Sequence, residues 1–127
     1  MNADRTLVAV FDAAHVRFFA YKRARGRLEP VLGDMSAGLH HDGRDIEKHD
    51  FVKAVATAIE AALDRDKFNK LVVVAPSRSI GEFRELAGGK VKAALWREVA
   101  KDLARLGDAE LENHLVPILQ VPDVQVR

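Results

Sequence analysis

Two apolar runs and one long amphipathic stripe organise the chain. Leu71-Val72-Val73-Val74-Ala75 offers no polar position to solvent, the pattern of a strand covered on both faces. Pro76 ends that run. Ser79 and Glu82 then stand at the capping-box spacing, which predicts a helix from Ser79 with Ile80, Phe83 and Leu86 on one face. Ile46 to Phe68 carries the strongest helical stripe: Phe51, Val52, Val55, Ile59, Ala62 and Leu63 recur at helical spacing, with Asp45 as the expected N-cap.

The N-terminal part alternates differently. Thr6 to Phe11 is a short run rich in valine, and Val16 to Arg23 alternates loosely and carries aromatics, so both read as strands around the turn Asp12-Ala13-Ala14-His15. Arg25-Gly26-Arg27 reads as a second turn. Leu28 to Met35 reads as a third, weaker strand whose Pro30 suits a sheet edge. Together they predict an antiparallel meander.

Downstream the pattern is less decisive. Gly88-Gly89-Lys90 is expected to break the second helix. Between Lys90 and Leu106, Val91, Leu95, Val99, Leu103 and Leu106 fit a helical stripe, whereas Val91, Ala93, Leu95 and Val99 fit one face of a strand; period alone favours the helix. Ala109 to Val116 should form a helix behind Gly107-Asp108, ended by Pro117, and residues 117–127 read as an extended tail beyond a domain of residues 1–116. Three strands, a helix, a strand and a helix give a mixed α/β sheet, with the long helix as the crossover into the parallel strand.

Composition narrows the function classes. A chain of 127 residues fits one domain. Its 20 basic and 19 acidic residues leave a formal charge of +1, which argues against a globally basic nucleic-acid binder but leaves room for a local basic patch. With no cysteine, thiolate metal sites, disulfides and cysteine nucleophiles are excluded and the cytoplasm becomes the expected compartment. Met1-Asn2-Ala3-Asp4-Arg5 lacks the pattern of a signal peptide, and no apolar run reaches membrane-spanning length, so no membrane partner is expected.

Candidate chemistry gathers in three places. The strand–Pro76–helix junction should present free backbone N–H groups and the positive end of a helix dipole, with Ser77, Arg78, Ser79, Gly81 and Arg84 around them and Asp12 at the neighbouring strand end. That edge is the expected anion site. Capping and turn chemistry also account for its serines and glycine, and a turn role or an ion pair with Arg78 or Arg84 accounts for Asp12. A second region is the hairpin, where Arg17, Lys22, Arg23, Arg25 and Arg27 alternate with Phe18, Phe19 and Tyr21; this suits RNA through phosphates and stacking, unless the aromatics belong to the core. The third is the polar loop Ser36 to Asp50 with His40, His41, Asp42, Asp45 and His49, whose spacing matches no known metal-ligand pattern, so no metal or cofactor is expected. Trp96 fits a core or interface position better than a stacking platform.

The hairpin LVAVFDAAHVRFFAYKR, the long helix with Phe51, the segment LVVVAPSRSIGEFREL and the later REVAKDL together resemble the bacterial host-attachment protein family. The most specific part is Ala75, Pro76, Gly81, Arg84 and Leu86, followed by Lys101-Asp102-Leu103. That family is in turn similar to the middle domain of archaeal and eukaryotic peptide-chain release factors, with its ribonuclease-H-like layout. The resemblance implies a single-domain α/β fold, a five-stranded mixed sheet with helices on both faces, and a fifth strand near Leu95 to Ala100. Release factors carry a catalytic Gly-Gly-Gln in the loop equivalent to Ser36–Asp50. It is absent here, so peptidyl-tRNA hydrolysis does not carry over. The expected function is therefore a non-catalytic binding module for RNA or the ribosome. The alternatives are a protein partner in attachment physiology and a metal-dependent nuclease or hydrolase built on Asp12 and the Ser77–Ser79 edge, with Glu82, Glu85 and Asp102 as the further acids.

Overall fold

The computed structural model describes residues 5–22, 26–31, 48–65 and 68–120, with the side chains of 48–50 excepted. The elements in chain order are β1 (Thr6–Phe11), β2 (Val16–Lys22), β3 (Arg27–Pro30), α1 (Lys48–Arg65), β4 (Lys70–Ala75), α2 (Ser77–Leu86), α3 (Gly89–Ala94), β5 (Leu95–Ala100) and α4 (Asp108–Leu119). The strands form one mixed sheet in the order β3-β2-β1-β4-β5. β1 pairs antiparallel with β2, in the register Thr6↔Tyr21 to Phe11↔Val16, and parallel with β4, from Thr6↔Lys70 to Val10↔Val74. The expected meander and the expected parallel neighbours are both present, and Pro30 lies on the edge strand β3.

Burial explains the two apolar runs. Every residue of β1 is buried, and so are the five that follow Lys70 in β4. Leu7, Ala9, Phe11, Leu71, Val73 and Ala75 face one core with Phe51, Val55 and Ile59 of α1, Ile80 and Phe83 of α2 and Val91 of α3. Val8, Val10, Val72 and Val74 face a second core with Phe19, Tyr21 and the stripe Leu111, Leu115 and Leu119 of α4. Helices therefore cover both faces, which is why the central strands alternate so little.

Four local expectations need correction. The first is the start of α2, at Ser77 rather than Ser79. The carbonyl of Pro76 accepts the Ile80 N–H at 3.0 Å, so the proline is the N-cap and no Ser79–Glu82 box forms. The second is a shift of position: the break expected at Gly88-Gly89-Lys90 is present, but α2 already stops at Leu86 with Ala87 extended, and Gly88 is the N-cap of α3. The third lies in 90–106, where period favoured a helix: only Gly89–Ala94 is helical, and β5 follows, as the family resemblance implied. Between the pairs Leu71↔Leu95 and Val72↔Arg97 the register slips, leaving Trp96 as an extra residue. The last is Pro117, which lies inside the final turn of α4 and does not end the helix. That turn is held by fully buried Leu119 and by the Gln120 N–H on the Val116 carbonyl at 2.9 Å, which offset the bond proline cannot donate. The tail reading fails for 117–119, and residues 121–127 lie outside the described residues, as do the proposed N-cap Asp45 and the third strand beyond Val31.

α4 is fastened to the meander by two polar clasps. Arg17 on β2 donates from Nη1 to Asp108 Oδ1 at 3.0 Å and from Nη2 to the Leu106 carbonyl at 2.6 Å. Glu112 Oε2 accepts the Leu28 N–H at 2.8 Å and Arg27 Nε at 3.2 Å, which satisfies a donor on the edge strand. The β2–β3 turn closes against the other end of α4. Gly26 has φ +61, a left-handed conformation that favours glycine; a Cβ there would stand 2.9 Å from Gln120 Nε2, the mobile end of a side chain that can give way.

Phe51 and Ile59 are 1% and 0% exposed. Phe51→Ala and Ile59→Ala should each cost about 2–5 kcal/mol in denaturant unfolding; a cost well below this range would contradict their place in the core. The Leu28 N–H, aided by Arg27, holds the Glu112 carboxyl below its ordinary range against a smaller opposing effect of burial. A lowered folded pKa contributes stability above the unfolded value and loses it as pH falls through the folded value. Wild type should therefore be more stable than Glu112→Gln at neutral pH, with the difference shrinking on acidification below the usual glutamate range. A pH-independent difference in thermal midpoint would contradict the clasp.

Candidate functional site

The carboxyl ends of β1, β4 and β5 lie side by side, so the chain segments leaving them form one edge. Extending the Val10↔Val74 register by two residues sets Asp12 level with Pro76. Extending Ala75↔Ala100 by one sets Pro76 level with Lys101. β1 leaves this edge toward β2 and β4 leaves it toward α2, so the chain diverges here in opposite directions, the position where open sheets bind ligands.

Asp12 is committed to its own turn. Its Oδ1 accepts the backbone N–H of Ala14 at 2.8 Å and of His15 at 2.7 Å, and His15 Nδ1 lies 3.1 Å from the same oxygen. Burial pushes this carboxyl up, but the two backbone donors and His15 outweigh it and leave the pKa lowered. The ion pair with Arg84 considered from sequence does not form.

Arg84 turns to β5 instead. Its Nε donates to both Glu98 oxygens, at 3.1 and 3.0 Å, and its Nη2 also contacts Glu98, so a bidentate pair ties α2 to the edge strand. Glu98 raises the already high Arg84 pKa through that hydrogen bond and its charge. Nothing in the sequence pattern points to this partner.

The first turn of α2 is otherwise open. It has no side-chain cap and no acidic residue. Ser77 and Arg78 are exposed, whereas Ser79 is buried at 6% exposure. Arg78 makes no ion pair with a described residue. Lys101 behaves in the same way: it is exposed, unpaired among the described residues, and brought to the edge by the end of β5. The sequence shows Lys101 only within a family motif, because its place level with Pro76 depends on the β4–β5 pairing.

The basic hairpin divides. Phe18, Phe19 and Tyr21 are 3%, 3% and 5% exposed, so they pack in the cores and stack no base, correcting that part of the RNA expectation. Alternation along β2 sends them to opposite faces, both of them covered. Arg17 and Arg27 fasten α4, Lys22 is exposed, and Arg23 and Arg25 lie outside the described residues. His40, His41, Asp42 and Asp45 also lie outside them, as does the side chain of His49. Among the described residues no group of three or more histidines or carboxylates is arranged to hold a metal. No described helix is long and apolar enough to cross a membrane.

Gly81 sits within α2, and a Cβ added there meets nothing within 4 Å. Gly81→Ala should stabilise the protein by roughly 0.5–1 kcal/mol through helix propensity. A loss of stability in thermal unfolding would show that the position is constrained by something other than packing.

Comparison with solved structures returns the Ppx/GppA phosphatase of Aquifex aeolicus, type II variant. It shares 13% identity at a TM-score of 0.46, over 77% of this chain and 36% of that one. The chain thus spans little more than a third of that protein, and a likeness at this level carries no argument about function. Comparison with curated proteins returns no match. The release-factor and ribonuclease-H likenesses gain no support from these comparisons. Residues 26–115 match the family described as "protein required for attachment to host cells", and the chain belongs to that family.

Proposed function

We propose that this host-attachment family protein is a non-catalytic, cytoplasmic binding module that takes an RNA phosphate at the carboxyl edge of its sheet, with the translation machinery as its setting. The observation that carries the reading is the first turn of α2, which lacks both a side-chain cap and an acid and contains Arg78, exposed and without an ion pair among the described residues. Free N–H groups at a helix N-terminus attract an anion, and an arginine beside them adds charge and bidentate geometry. The reading gives Asp12 a structural part, because its carboxylate already accepts two backbone N–H groups. It gives Arg84 a structural part as well, through Glu98.

Arg78→Ala should weaken RNA binding and flatten its dependence on salt by about one unit of logarithmic slope, the signature of one lost phosphate contact. Arg84→Ala should leave that slope unchanged and lower stability instead. If wild type binds no RNA at low salt, the module takes a protein partner, and the RNA reading fails. A slope insensitive to Arg78→Ala would move the contact elsewhere on the surface.

A further inference from the structure

We draw no further inference here: the strongest candidate, the outer edge of strand β5 with half-buried Trp96 and the cations of Lys70 and Arg97 each 4.5 Å from its ring centroid, carries nothing because nothing among the described residues shows what covers it.

Discussion

Burial of β1 and β4 on both faces is the constraint from which the rest of the structure follows. A strand with valines and leucines on both sides needs two covering layers. On one side α1 supplies Phe51, Val55 and Ile59, and α2 and α3 extend the cover toward β5. On the other, a single helix supplies Leu111, Leu115 and Leu119. One helix gives a narrower stripe than three, and the polar clasps lie on that side: Arg17 on Leu106 and Asp108, and Glu112 on Leu28 and Arg27. The first layer is held mainly by apolar area, with the Arg84–Glu98 pair tying α2 to β5 and the Lys90–Asp64 pair joining α3 to α1. The second is positioned by apolar area together with hydrogen bonds to an edge strand whose donors need partners.

The same constraint creates the edge proposed to bind. β1 and β4 are parallel neighbours, yet β1 returns through a tight turn while β4 feeds a helix. Pro76 makes the second change of direction abrupt, since its fixed φ suits a helix start and its carbonyl takes the Ile80 N–H. The amides of the next residues consequently meet the sheet edge rather than a neighbouring segment. Phe11 and Phe83, with ring centroids 5.7 Å apart, lock the end of β1 to α2 beneath that edge, so the site stands on packed core.

Much of this was legible in the sequence. The runs Thr6–Phe11 and Leu71–Ala75, the α1 stripe and the edge placement of Pro30 each express a single physical demand repeated over several residues. What failed to read were single-residue decisions made by tertiary context. Trp96 is an inserted residue that breaks the alternation of β5, so a strand looked helical. Ser79 and Glu82 had the spacing of a cap, but the helix had already started two residues earlier, at Ser77 behind the N-cap Pro76. Arg84 looked like an anion ligand because its partner Glu98 is on another element. The hairpin aromatics looked available because both faces of β2 carry them, and only the second helical layer shows that both faces are covered.

Charge completes the picture. With 20 basic against 19 acidic residues, the protein has little net field to offer a polyanion, so any such function depends on which cations are left over. Arg17, Arg27, Arg84 and Lys90 are each bound to an acid: Asp108, Glu112, Glu98 and Asp64. These pairs join distinct elements and tie their cations to the fold. Arg78 and Lys101 have no such partner among the described residues, and strand register brings both to the edge where the helix dipole is positive. Arg78 and Lys101 are not alone in this, since Lys22, Lys53, Lys92 and Arg105 are also exposed without an ion pair among the described residues; what sets the two apart is their place at the carboxyl edge of the sheet. Formal charge, summed over the sequence, cannot distinguish a cation that fastens a helix from one that faces a ligand. Which does which is decided by the pairing of β4 with β5 and of α4 with β3.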